Sequence, residues 1–131
     1  MIPNRQERLS SLFTTEIAII LEKYQDTILH AADGHVMTIT KVVVVKSLEF
    51  ADVYYSLFKE GRNAMADEDY SKDIVERLNL TLKQIYPDIS RYLSKRITMK
   101  RLPKLRFKYD QNPQSAERVY TIIENLKKDN F

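Results

Sequence analysis

Apolar side chains recur every three or four residues between Arg8 and Tyr24, which is the period of one helix face. The spacing predicts a first helix whose inward positions are Leu9, Leu12, Phe13, Ile17, Ile20, Leu21 and Tyr24. Residues 25–35 are more polar and contain the pair Asp33-Gly34, a strong turn signal. We therefore expect the chain to turn there.

A change to β-branched residues after the turn predicts two strands. The first begins at Met37, ends near Lys46 and contains four consecutive valines, which is typical of a strand with much of both faces covered. The second covers Ala51 to Phe58 and alternates, with Ala51, Val53, Tyr55 and Leu57 on one face. The two strands are expected to pair as a hairpin.

A second helical stripe extends from Tyr70 to Ile85. Pro87 follows it, and proline lacks an amide donor and crowds the preceding turn. The helix is therefore expected to break or kink at Tyr86-Pro87. A shorter third helix is predicted from Pro87 to Arg96, since proline is well tolerated at a first helical position.

The last third of the chain predicts one more strand and one more helix. Residues 97–109 are strand-like, because Leu105, Phe107 and Tyr109 alternate with Lys104, Arg106 and Lys108. Asn112-Pro113 is predicted to cap and begin a final helix extending to Leu126. This order of elements predicts an α+β fold with helices on one face of a three-stranded mixed sheet.

Length and composition agree with this fold. The chain of 131 residues predicts a single domain, with residues 1–4 and 129–131 as frayed ends. Its 44% apolar and 30% charged residues are typical of a folded chain. The longest strictly apolar run, Ile17 to Leu21, is far shorter than the ~18 residues of a membrane span. No signal-peptide pattern occurs either, so we expect a cytoplasmic protein without membrane contact.

The residue inventory argues against most catalytic chemistry. Cysteine is absent, and His30 and His35 alone make a poor metal site, so both are expected to be solvated loop residues. The two glycines, Gly34 and Gly61, cannot form a dinucleotide fingerprint or a P-loop. No motif pairs a nucleophile with a base. We therefore expect no metal, no cofactor, no small-molecule substrate and no enzymatic activity.

The distribution of charge is the most informative feature. Between Ile89 and Tyr109 there are no acidic residues, so the segment is strongly basic in a chain whose net charge is only +3. The remaining 110 residues carry a net charge of −5. A surface that binds phosphates requires such a concentration of positive charge. The basic residues of the segment are Arg91, Lys95, Arg96, Lys100, Arg101, Lys104, Arg106 and Lys108.

A basic run can also be merely a solvated surface, and that alternative stays open at this point. Two details favour binding. The run crosses a helix end and a strand, so that its charges are expected to converge in space. It also contains Tyr92 and Tyr109, aromatic side chains of the kind on which bases stack.

Short motifs in a fixed order resemble bacterial ribosome-binding factor A over nearly the whole chain. The motif residues of the first helix are Arg8-Leu9, Glu16-Ile17 and Ile20-Leu21. Those of the hairpin are Thr38-Ile39-Thr40, Val42, Leu48, Ala51, Val53-Tyr54 and Ser56, and those of the last strand are Pro103-Lys104-Leu105-Arg106-Phe107 and Asp110.

The resemblance implies a type II KH-like fold. KH modules often carry a Gly-x-x-Gly loop that clamps the nucleotide backbone. The family resembled instead has a helix-kink-helix marked by Ala-x-Gly, and the corresponding residues here are Ile85, Tyr86 and Pro87. Proline is therefore expected to make the kink in place of glycine, which marks the chain as a divergent member.

For function, the resemblance implies a non-catalytic, monomeric factor that binds free 30S ribosomal subunits or their precursors. Such a factor assists processing and maturation of 16S rRNA, and its loss is felt most in the cold. Arg5, Arg8 and the basic run are then expected to contact rRNA phosphates. Two alternatives remain: a protein-interaction module whose basic face only solubilises it, and a small enzyme.

Overall fold

The computed structural model describes residues 4–59, 62–63 and 68–110. The predicted final helix from Asn112 to Leu126 lies outside the described residues, as do residues 1–3 and 129–131. The elements in chain order are α1 (Arg5–Lys23), α2 (Gln25–Ala31), β1 (Val36–Val44), β2 (Phe50–Lys59), β3 (Arg62–Asn63), α3 (Glu68–Arg96) and β4 (Lys104–Tyr109).

The first helix forms where the apolar period predicts it and begins three residues earlier. Asn4 is its N-cap, and the Asn4 side chain accepts a hydrogen bond of 2.8 Å from the amide of Glu7. This bond satisfies one of the amides that a helix start leaves without an intrahelical partner. The helix buries Phe13, Ile17 and Ile20 together with Leu21.

The prediction of a turn over residues 25–35 is wrong for its first part, because Gln25–Ala31 form the helix α2. The helix has seven residues and a single buried side chain, Ile28, so it leaves almost no apolar period in the sequence. The turn follows it. Asp33 and Gly34 there have φ values of 54° and 85°, the left-handed region that glycine enters at little cost.

The sheet is mixed, with β2 at its centre. Strand β1 pairs with β2 antiparallel, as the hairpin prediction requires, and β4 pairs with β2 parallel on the other side. Strand β3 has two residues and pairs with the end of β2. The α+β fold with a three-stranded mixed sheet is therefore confirmed, with β3 as a small addition.

Two strand predictions need correction. The predicted strand over residues 97–109 begins only at Lys104, and residues 97–103 connect α3 to it with Ile97 and Pro103 buried. Strand β1 does not have both faces covered, because Lys41 and Val43 are exposed while Val42 and Val44 are buried. Three of the four consecutive valines, Val42 to Val44, thus belong to a strand with one open face, and Val45 follows its end.

Helix α3 continues through Pro87, so the predicted break into two helices is wrong. A proline inside a helix removes one backbone hydrogen bond and costs roughly 3 kcal/mol relative to alanine. Burial on both sides of the proline offsets this cost, since Leu82 and Leu93 are each 1% exposed and Ile89 is fully buried. A kink at Ile85, Tyr86 and Pro87 stays a prediction.

The core lies between the helices and one face of the sheet. On β2 it includes Ala51, Val53, Tyr55 and Leu57, the four positions that alternation assigns to the inner face. Helices α1, α2 and α3 all contribute buried side chains to the same cluster. Among the described residues, no helix combines the length and apolarity that a membrane span requires.

Candidate nucleic-acid interface

The basic residues of β4 point away from the core. Lys104, Arg106 and Lys108 are exposed, whereas Leu105 between them is buried and its amide donates a hydrogen bond of 2.8 Å to the hydroxyl of Tyr86 on α3. The predicted assignment of faces on this strand is therefore confirmed. The three cations lie on the sheet face opposite the helices.

A carboxylate from the neighbouring strand lies among these cations. Arg106 pairs in register with Asp52 of β2, and its Nε and Nη2 atoms donate hydrogen bonds of 2.6 and 3.2 Å to the two carboxylate oxygens. The Nζ atom of Lys108 is 3.4 Å from Oδ2 of the same carboxylate. Burial alone would raise the pKa of Asp52, but the hydrogen bond from Arg106 and the charge of Lys108 outweigh it and lower the pKa.

Two half-buried aromatic rings lie on the same face. The guanidinium of Arg106 is 4.3 Å from the ring centroid of Phe50. The Nζ atoms of Lys41 and Lys108 lie 4.8 and 5.9 Å from the centroid of Tyr54. The basic sheet face thus combines cations, two rings and one carboxylate, and it consists of Lys41, Val43, Phe50, Asp52, Tyr54, Lys104, Arg106 and Lys108.

A second concentration of positive charge lies at one end of the sheet. The start of α1 packs against the end of β1, where the Gln6 side chain donates to the Val44 carbonyl at 2.8 Å and the Val44 amide donates to the Ser10 hydroxyl at 3.0 Å. The start of β4 reaches the same hairpin through a hydrogen bond of 2.9 Å from the Lys104 amide to the Glu49 carbonyl.

The end of α3 joins this group of elements. Tyr92 donates a hydrogen bond of 2.9 Å to Glu16 of α1, and Arg96 Nε lies 3.9 Å from the same carboxylate. Because α1 is antiparallel to α3 here, the N-terminal turns of α1 and the C-terminal turn of α3 lie at the same end of the helical layer. We call the exposed cations there the basic end: Arg5, Arg8, Lys95, Arg96, Lys100 and Arg101.

Arg91 is the one predicted site residue that lies apart from both groups. It forms an ion pair with Asp88, one turn earlier on α3, and Tyr24, the C-cap of α1, donates a hydrogen bond of 2.6 Å to the same carboxylate. The hydrogen bond from Tyr24, together with the nearby charge of Arg91, lowers the pKa of Asp88. This cluster ties α1 to the segment around Pro87.

Other sequence predictions about the site are corrected. Tyr109 faces the core side, where its ring contacts Tyr55 edge to face at a centroid distance of 5.8 Å, and Tyr92 is engaged by Glu16 and Arg96. Neither is a free stacking surface. His35 is not a solvated loop residue, because it is fully buried and its Nδ1 lies 2.7 Å from the Ala32 carbonyl. The described residues contain no cluster of three potential metal ligands.

Sequence analysis missed the part of the site contributed by β1 and β2. The alternation that assigns Ala51 and Val53 to the core also assigns Asp52 and Tyr54 to the other face, so the signal was present. What the sequence did not contain was the parallel register between β2 and β4, which brings Asp52 to Arg106 across 54 positions. Lys41 joins them because its strand pairs with Tyr54.

Comparison with known proteins identifies a family that this chain matches. The family model for ribosome-binding factor A matches residues 5–123. Ribosome-binding factor A of Prochlorococcus marinus strain MIT 9515 is 32% identical over 127 residues, covering 95% of this chain and 86% of that protein. Its counterpart in Chlorobium phaeobacteroides strain DSM 266 is 26% identical and covers 95% of this chain and 96% of that protein.

A solved structure shows the same fold. The crystal structure of ribosome-binding factor A from Thermus thermophilus superposes with a TM-score of 0.58 at 20% sequence identity. The match covers 79% of this chain and 93% of that chain. The type II KH-like fold that the resemblance implies is therefore confirmed.

Proposed function

The chain belongs to the ribosome-binding factor A family, and we propose that it is a non-catalytic factor that binds the small ribosomal subunit during its assembly. The partners proposed are 16S rRNA and free 30S subunits or their precursors. The effect proposed is assistance with processing and maturation of that RNA. We further propose that the protein acts as a cytoplasmic monomer of one domain.

The observation that carries the proposal is the continuity of two basic surfaces. Lys100 and Arg101 of the basic end lie in the connection between α3 and β4, and Lys104 of the basic sheet face begins β4 three residues after Arg101. The charges therefore extend from the start of α1 and the end of α3 to the open side of β4. A surface of this extent can neutralise phosphates from more than one RNA element at once.

The affinity of isolated phosphate contacts explains why a subunit precursor suits such a surface. Nonspecific phosphate binding reaches dissociation constants of only about 10⁻⁴ to 10⁻⁶ M on the scale measured for DNA. Tighter binding requires several RNA elements in one arrangement. A maturing subunit offers such arrangements transiently, and their loss on maturation would release the protein.

Pelleting with purified ribosomal subunits tests the proposal. The protein is expected to pellet with 30S subunits and not with 50S subunits. Replacement of the three exposed cations Arg8, Lys100 and Arg101 by alanine should reduce 30S binding at least tenfold. A matched control replaces Lys72, Arg77 and Lys83, exposed cations of the N-terminal part of α3, and should leave binding nearly unchanged. Equal binding by all variants would contradict the proposed interface.

Salt dependence separates this function from a protein-interaction module. Four to six phosphate contacts predict a slope of roughly −3 to −4 for log affinity against log salt concentration, at about −0.7 per contact on single strands. An interaction module that docks a partner on the sheet edge or on the segment from Val42 to Val45 would show a nearly flat dependence. Affinity for 30S subunits that does not change with salt would favour that alternative.

A further inference from the structure

Tyr54 occupies an unusual position on the basic sheet face. Its half-buried ring lies on the central strand, with Lys41 of β1 and Lys108 of β4 as its register partners on either side. Their ammonium groups lie over the ring at 4.8 and 5.9 Å from its centroid. Binding of phosphate alone would not require an aromatic ring between two lysines.

The neighbouring ring of Phe50 is different, because its covering cation is fixed. Arg106 lies over Phe50 at 4.3 Å and is held there by the bidentate hydrogen bonds to Asp52. Within the described residues the cations over Tyr54 are two lysines on flexible four-carbon stems, of which Lys108 also lies 3.4 Å from Oδ2 of Asp52. Within the described residues Lys41 forms no ion pair, so its ammonium group can leave the ring without breaking one.

The chemistry of this arrangement points to one class of ligand. The lysines require an anion, and an aromatic ring between them offers a surface for a flat apolar group. An unpaired nucleobase with its two flanking phosphates satisfies both requirements. A base in a duplex does not, because its faces are covered by neighbouring base pairs. An acidic peptide would satisfy the lysines but would leave the ring without a stacking partner.

We propose that Tyr54 is a stacking platform for one unpaired base of single-stranded RNA, with Lys41 and Lys108 binding the adjacent phosphates. The inference rests on the proposed function, since it names the kind of RNA that one part of the interface binds. It assigns the basic sheet face a role distinct from that of the basic end, which contacts phosphates without an aromatic platform.

Fluorescence anisotropy with two labelled oligomers tests the proposal. One is a ten-nucleotide uridine RNA, and the other has the same length and charge but abasic riboses. The wild-type protein is expected to bind the uridine oligomer about 5- to 150-fold more tightly, which is the range for stacking of one base. Tyr54→Leu should remove this preference, whereas Tyr54→Phe should keep it.

Tyr24→Leu is the matched control, because Tyr24 is also half-buried beside a lysine, Lys23, but lies in the helical layer. It should retain the preference for bases. If wild type binds both oligomers equally, the stacking platform is refuted while the proposed function stands. If it binds neither oligomer nor 30S subunits, both are refuted. If polyglutamate binds as tightly as uridine RNA and Tyr54→Leu weakens both equally, the face binds acidic peptides and the inference is wrong.

Discussion

Replacement of Asp52 by asparagine should change stability and RNA affinity in opposite directions. In the native protein the carboxylate neutralises part of the basic sheet face. It accepts two hydrogen bonds from Arg106 and forms an ion pair with Lys108. The asparagine side chain has a similar shape but no charge, and its single oxygen can accept from only part of the arginine fork. The variant therefore loses a structural ion pair and gains net positive charge where RNA is proposed to bind.

The magnitude of the stability loss follows from the exposure of the two partners. Removal of one partner from a fully buried ion pair costs about 3 to 5 kcal/mol. Here the Asp52 side chain is 11% exposed but that of Arg106 is 44% exposed, so water solvates the arginine in the variant. We expect a loss of about 1.5 to 2 kcal/mol in the free energy of unfolding, the lower part of the range for one hydrogen bond to a charged group.

The pH dependence of stability provides a second signature. The pKa of Asp52 is lowered in the folded protein, so its stabilising effect is fully present above the unfolded pKa of about 3.9. The effect is lost as the pH falls through the lower, folded pKa. The difference in stability between wild type and Asp52→Asn should therefore be constant from pH 7 to pH 5 and shrink below about pH 4.

RNA affinity should rise in the same variant. Two unit charges 4 Å apart in water interact with about 1 kcal/mol, so loss of the carboxylate should strengthen binding about fivefold at low salt. Urea unfolding and fluorescence anisotropy on one protein preparation measure both effects. If the variant is as stable as wild type, the ion pair does not stabilise the sheet. If affinity falls while the protein stays folded, RNA does not bind to this face.

Three further variants test the description of the fold and the interface. Replacement of both Lys104 and Lys108 by alanine should reduce the slope of log RNA affinity against log salt concentration by about 1.4, which binding at several salt concentrations would check. The same variant should change the free energy of unfolding by under about 1 kcal/mol, which urea unfolding would check. Phe107→Ala should cost about 2 to 3 kcal/mol in urea unfolding, below the 3 to 5 kcal/mol of a fully buried phenylalanine, because Phe107 is half-buried. Pro87→Ala should raise the unfolding free energy by up to about 3 kcal/mol, the cost of a proline inside a helix relative to alanine, since α3 already continues through this position. A loss of stability in this last variant would show that the helix requires the proline.

The parts of the fold that could be predicted from sequence are those whose periodic pattern of apolar residues extends over many positions. Helix α1 and the inner face of β2 each repeat their pattern over several residues. Helix α2 buries only Ile28, so no period reveals it. The continuity of α3 depends on contacts made at both sides of Pro87, where Tyr86 accepts a hydrogen bond from Leu105 and Asp88 accepts one from Tyr24. Local propensity does not contain these tertiary contacts.

The candidate site was predictable in its charges but not in its arrangement. The basic run identifies the cations of β4 and of the basic end, because charge is read directly from the sequence. Its apparent lack of acidic residues is misleading, since Asp52 and Glu16 reach Arg106 and Arg96 from distant segments. The stacking residue was also misassigned. Tyr109 lies within the run but faces the core, whereas Tyr54 lies outside the run and faces the cations.

Gradient sedimentation of the tagged protein in cell lysate, together with rRNA processing in a deletion strain, tests the central claim most directly. The account predicts that the protein migrates with free 30S subunits or their precursors and is largely absent from translating ribosomes. It also predicts that deletion causes precursor 16S rRNA to accumulate, more strongly in the cold, where RNA helices rearrange more slowly. Equal occupancy of free subunits and polysomes, together with normal rRNA processing in the deletion strain, would contradict a role in small-subunit assembly.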